Sequence, residues 1–194
     1  VSCGPPIPGT EIQIIDDHGH PLPNRQVGEI VLRSNYMLSG YYCRPELTKE
    51  AIQNGWYHTN DMGYLAEGDL FITGRKKDLI IVGGKNIYPQ DLEAIANEIP
   101  GLVPGRSAAF GVFNQDLGSE DVVMVCELED NRLSDAERRT LEMELRRSVV
   151  QQSEVALSDV RLVERRWLIK TSSGKISRSA NREKYLREIS VDSN

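Results

Sequence analysis

The residues best suited to chemistry lie near the end of the chain, in the stretch KTSSGKISR, residues 170–178. Small hydroxyl residues and a glycine surround Lys175, and cations stand at both ends. Such a loop is slim and pliable, and its backbone and cations suit a phosphate on a small molecule. Taken alone, the same composition also describes a flexible surface loop. The loop sits in a basic tail. Residues 1–77 carry 7 basic and 9 acidic side chains, net −2; residues 78–159 carry 7 and 16, net −9; residues 160–194 carry 9 and 4, net +5. A basic tail can bind nucleic acid. Here aromatic residues for base stacking are few and no nucleic-acid motif is present, so a nucleic-acid partner is not expected.

The elements that must hold this loop belong to a chain of ordinary globular composition, 39% hydrophobic and 27% charged. Its 194 residues suit one medium domain or two small ones. No apolar run is long enough to span a bilayer, and no signal-peptide pattern opens the chain. Cys3, Cys43 and Cys126 are far apart, odd in number and without a Cys-x-x-Cys pair, which points to a reducing compartment, the cytoplasm, rather than to a disulfide framework. The three histidines do not cluster with them, so no metal site is expected.

The first third reads as β structure. EIQIID (11–16) and VGEIVLRS (27–34) flank the turn residues DHGHPLPN. GYYCRPELTKEAI predicts a short helix capped at Thr48. GDLFITG and DLIIVGG predict two more strands, and the poor alternation of DLIIV suggests burial on both faces. After Lys77 the texture changes. Leu92, Ile95, Ala96 and Ile99 have helical spacing, with Pro89 in the first turn and Pro100-Gly101 as the stop. SAAFGVF, DVVMVCELE and DVRLVER read as strands. A helix follows Ser134, with Glu137 completing a capping box and Leu141, Leu145 and Val149 on one face. SRSANREKYLREI is a final helix. The fold class is α+β, a β-rich segment followed by a compact domain with a mixed sheet. Four consecutive charged residues, Arg75 to Asp78, would be costly inside one buried strand, so the joint is placed there, with bodies at 1–76 and 77–194.

Four stretches now stand in order: GYYCRPELT (40–48), WYHTND (56–61), GRKKDLIIVGGKNIYPQDLE (74–93) and KTSSGK (170–175). Together they resemble the C-terminal part of the adenylate-forming superfamily of acyl-CoA synthetases, fatty acyl-AMP ligases, luciferases and peptide-synthetase adenylation domains. The resemblance covers nearly the whole chain. It implies the β-rich end of a large adenylation domain followed by a small mobile α+β lid. It also implies a two-step reaction: a carboxylate attacks the α-phosphate of ATP, and the acyl group then passes to a thiol while the lid rotates.

The same resemblance assigns roles. Asp61 matches the aspartate that holds both ribose hydroxyls, a task suited to an acceptor-only carboxylate; otherwise it would simply cap the turn. The family pattern is Thr-Gly-Asp, whereas this chain has Thr59-Asn60-Asp61, and Asn tolerates left-handed backbone. Arg75 matches an arginine that reaches the ribose. Lys77, with Asp78, stands at the hinge. Gly83-Gly84 matches a pair beside the pantetheine passage, and reads otherwise as an ordinary β-turn. Lys175 matches the catalytic lysine, whose ammonium bridges carboxylate and α-phosphate.

NIYPQD and SGKISRSANREKYL are most similar to fatty acyl-AMP ligases. The implied substrates are a fatty acid and ATP, giving acyl-AMP, with transfer to the phosphopantetheine thiol of an acyl carrier protein. Free CoA is the alternative acceptor. The Mg²⁺ ligands, phosphate loop and acyl pocket are expected in an N-terminal part of the same enzyme, so the isolated chain is expected to be inactive. Two other readings stay open, a stand-alone module that docks a carrier protein and a degenerate nucleotide sensor.

Overall fold

A computed structural model describes residues 2–192, which divide into two compact units at the Lys77–Asp78 bond. The first unit holds one antiparallel sheet. β1 (Thr10–Ile15) pairs with β2 (Gly28–Ser34), and β2 pairs with β4 (Trp56–Ala66). β3 (Ile52–Gln53) and β5 (Asp69–Arg75) pair with opposite ends of β4. Ile14, Ile15, Ile30, Val31, Met62 and Ala66 are its buried apolar residues. The β1–β2 connection is fixed locally, because the Asp16 carboxylate accepts from the backbone N–H groups of His18 and His20.

Two local expectations are corrected here. The short helix α1 (Pro45–Ala51) is not capped by Thr48. It begins at Pro45, whose fixed φ starts a helix without a side-chain cap. Thr48 lies inside it, where its Oγ1 donates to the Arg44 carbonyl and accepts from Tyr41 N–H. DLIIV is not buried on both faces either. Among the described residues β6 (Ile80–Val82) pairs only with β7 (Lys85–Ile87), and Ile80 is enclosed while Ile81 is 51% exposed.

The second unit is built on the sheet β8 (Leu102–Asn114), β9 (Ser119–Leu128) and β10 (Asp159–Val163). β8 and β9 are antiparallel, and β10 is parallel to β9. A parallel return requires a crossover, which α3 (Asp135–Ser153) supplies. The Ser134–Glu137 capping box closes the start of α3 from both sides. β9 is central and covered on both faces. Met124, Cys126 and Leu128 pack with α2 (Pro89–Ala96) and α3, while Val123 and Val125 pack with Tyr185 of α4 (Arg178–Asp192). Burial pushes the Cys126 thiol up to about 12, which leaves it a protonated core residue and no nucleophile.

β4 is absent from the sequence-based reading. Its hydrophobic alternation is broken by His58, Asn60, Asp61 and Gly63, and its pairing slips on both edges. At the slip Asn60 takes φ +59°, the left-handed region. Asn60→Gly is therefore expected to keep or raise stability. Asn60→Val should cost about 1–2 kcal/mol, since a β-branched side chain is poorly tolerated there. In the second unit Leu145→Ala should cost about 2–5 kcal/mol, because Leu145 is fully enclosed. Met143→Ala, on the outward face of α3, should stay within about 0.5 kcal/mol. Urea titration of the four variants checks all of this, and equal losses at Leu145 and Met143 would contradict the placement of α3.

Candidate functional site

In the first unit the chemistry gathers where β4 meets β5. Asp61 and Arg75 are directly opposite in register, with Arg75 Nε 3.5 Å from Asp61 Oδ1. The turn before Asp61 is held from Thr59, whose hydroxyl donates to the Ile30 carbonyl and accepts from Asp61 N–H. The carboxylate is thus not the group that caps the turn. It is one-third exposed, with a loosely placed arginine as its charge partner, and retains acceptor capacity for hydroxyl donors.

One residue beyond Arg75, the chain is anchored. Lys76 Nζ lies 3.0 Å from Asp17 and 3.1 Å from the buried carboxylate of Glu29. Glu29 also faces His58 Nδ1 at 3.2 Å. Burial works against the Lys76 charge, but the Asp17 and Glu29 carboxylates outweigh it and raise the lysine above its ordinary value. Glu29, His58, Asn60 and Lys76 line an open cleft of about 420 Å³.

Residues Lys76–Asp78 form one 3₁₀ turn. Lys77 is exposed, and its ammonium has no hydrogen bond or ion pair among the described residues. Asp78 differs. Its Oδ2 accepts from Arg178 Nη1 at 2.9 Å, and Arg178 also forks onto Glu93 through Nε at 2.8 Å and Nη2 at 2.6 Å. Glu93 accepts Ala109 N–H as well, which ties the cluster to β8. Glu93 first, with Asp78 adding to it, holds the guanidinium even more firmly charged than usual despite partial burial.

Gly83 and Gly84 are the two central residues of the β6–β7 hairpin turn, with φ +55° and +80°. Positive φ at both positions is what a two-residue hairpin demands, so the turn explains both glycines. A Cβ at either would meet nothing within 4 Å. The ribbon docks on the start of β9, with Ile81 N–H donating to Glu120 and Gly83 N–H to Ser119 Oγ.

Lys175 lies at the end of a tight turn. Thr171 N–H donates to the Lys175 carbonyl at 2.8 Å and Gly174 N–H to the Thr171 carbonyl at 2.9 Å, with Gly174 at φ +83°. The Lys175 side chain is exposed, and its ammonium has no partner among the described residues. The base below is the opposite. Asn181 is wholly buried; its Oδ1 accepts Ile169 N–H, and its Nδ2 donates to the carbonyls of Ile169 and Ser177. Buried Glu127 accepts Leu168 N–H at 2.9 Å. Lys184 donates to the Trp167 carbonyl and lies 3.7 Å from the indole centroid. A free cation is thus carried on a fixed backbone.

The structure brings Asp61 and Arg75 together, and Asp78 with Arg178. No hydrogen bond or ion pair among the described residues joins Lys175 to Gly83 or Gly84. Asn181, Arg178, Glu93 and Glu127 are missed by sequence reasoning. The one available signal is that Asn181 falls among the apolar spacing of the last helix, where a polar residue must find partners.

A family profile described as AMP-binding enzyme matches residues 1–42. The chain is 39% identical over 186 residues to a Caulobacter vibrioides protein that carries the provisional name acyl-CoA synthetase, covering 95% of this chain and 32% of that one. It is 36% identical over 200 residues to the medium-chain-fatty-acid–[acyl-carrier-protein] ligase of Moorena producens, covering 96% and 33%. Among solved structures, the fatty acyl-adenylate ligases from E. coli and L. pneumophila match with a TM-score of 0.83 at 34% identity, over 99% of this chain and 34% of that one. The chain therefore spans about a third of the length of the relatives it matches. Chain-wide likeness in sequence and fold agrees with the ordered motifs, and the chain belongs to the adenylate-forming, acyl-activating enzyme superfamily.

Proposed function

We propose that this chain is the C-terminal part of a fatty acyl-AMP ligase working in the cytoplasm, with residues 1–77 closing the large domain and residues 78–194 forming its mobile lid. The observation that carries this reading is the exposed, unpartnered ammonium of Lys175 above a base fixed by buried Asn181. In the first step a fatty-acid carboxylate oxygen bonds to the α-phosphorus of ATP, the bond to the β-phosphate oxygen breaks, and pyrophosphate leaves. Two anions approach and negative charge builds on phosphorus. Lys175 offsets both, and as a compact charge on a long stem it can reach into a cleft. Asp61 accepts the ribose hydroxyls and Arg75 donates beside it. The described residues offer no group of three carboxylate, histidine or cysteine ligands, so no step through Mg²⁺ is assigned to this chain.

In the second step a thiol sulfur attacks the acyl carbonyl, AMP leaves, and the thiol proton passes to solvent. Lys77, exposed and unpartnered, is the hinge that reorients the lid between steps. The open backbone at Gly83-Gly84 lets a pantetheine arm approach closely. The acceptor proposed is the phosphopantetheine of an acyl carrier protein, on the likeness of NIYPQD to acyl-AMP ligases. The relative named for CoA chemistry favours free CoA as the second reading.

The test measures the two half-reactions separately in the complete ligase. Lys175→Ala should slow adenylate formation about 10²–10³-fold, the effect of losing one preorganised electrostatic contact. It should spare transfer from supplied acyl-adenylate. Lys170→Ala should do little, and Lys175→Arg should not rescue, because a planar guanidinium does not replace a compact ammonium. Equal damage to both half-reactions would mark Lys175 as structural. Lys77→Pro should slow the thiol step and leave adenylation largely in place, since proline restricts φ. The 194-residue chain alone should release no pyrophosphate above a no-enzyme control.

A further inference from the structure

We infer that Arg178 is a positioning residue that couples the hinge to the Lys175 turn, an inference that rests on the role proposed for Lys175. Arg178 opens α4, directly after Ser177 at the base of the turn. Its guanidinium spans Asp78, the first residue of the second unit, and Glu93 on α2. Ser177 N–H donates to the Ile169 carbonyl, and Asn181 joins Ser177 to Ile169. Asp78, Arg178 and the turn base thus form one connected set, tied to β8 by the acceptance of Ala109 N–H at Glu93.

On the other side of Lys77, Lys76 is bound to Asp17 and Glu29 within the first unit. The two neighbours of Lys77 are therefore held in different units. Reorientation about Lys77 reaches Asp78, passes through Arg178 and moves the backbone that carries Lys175. Arg178 touches no substrate in this scheme. Its rigid guanidinium donates twice to Glu93 and once to Asp78 in fixed geometry, a planar fork that the single ammonium of a lysine does not reproduce.

The test uses this chain and needs no catalysis. Amide hydrogen exchange is followed at Ile169 and Ser177, and at Val125 in β9 as the internal control. Asp78→Asn is the mild variant, because it leaves the Arg178–Glu93 fork in place; Arg178→Lys is the stronger one. Asp78→Asn should speed exchange at Ser177 by about 10- to 100-fold, the factor matching loss of one charge-assisted hydrogen bond, with Val125 unchanged. Arg178→Lys should speed it by at least as much. An unchanged Ser177, or equal acceleration at Ser177 and Val125, would overturn the coupling. In the complete ligase Asp78→Asn should lower kcat for adenylation with KM for ATP retained, and an unaltered kcat would overturn the positioning role. If Lys175→Ala leaves adenylation intact, the proposed function fails by itself, while the coupling stands or falls on the exchange rates.

Discussion

A side chain can act as a fixed charge only if its backbone does not move. The second unit commits most of its buried polar groups to that constraint. Asn181 closes a ring of hydrogen bonds between Ile169 and Ser177, and Glu127 takes the neighbouring amide of Leu168. Each is enclosed by the sheet and α4, where an unmet polar atom is costly and a satisfied one is correspondingly rigid. The geometry of β9 makes this possible. A strand covered on both faces offers two cores, one closed by α2 and α3 and one by α4, and the Lys175 turn is seated at the edge of the second.

The first unit solves a different problem. In the role proposed for it, Asp61 presents free acceptor atoms from inside a sheet, where backbone pairing normally leaves little room for irregularity. A slip in register supplies the space. The left-handed Asn60 and the hydroxyl of Thr59 hold the chain through the slip, so that the carboxylate points at Arg75 and not back at its own turn. Asn stands where the family pattern has Gly because both can occupy that backbone region.

Legibility in the sequence followed the range of the determining interactions. The strands β8 and β9, the helix α3 with its capping box, and the hairpin glycines depend on neighbours a few residues away, and their patterns are readable. β4 is not, since His58, Asn60 and Asp61 erase its alternation. The two-sided burial expected for DLIIV fails because nothing in those residues tells how many strands will flank them. Lys175 and Asp61 stand out only through ordered motifs. Arg178 does not stand out at all, because the carboxylates that give it its meaning are 85 and 100 residues away, and Asn181 is marked only by falling among the apolar spacing of the last helix.

The length of the Arg178–Asp78 contact has a consequence for assembly. Closing so long a loop forfeits chain entropy before any contact offsets it, so pairings of this range form late. The β8–β9 hairpin can close early around Asn114–Ser119, whereas α4 docks onto a sheet that must already exist. The base of the lysine turn is held by Asn181, so during synthesis it cannot be completed before α4 has emerged. If Lys175 serves as proposed, partly folded chains lack a placed ammonium, and the chemistry assigned to it begins only with the finished fold.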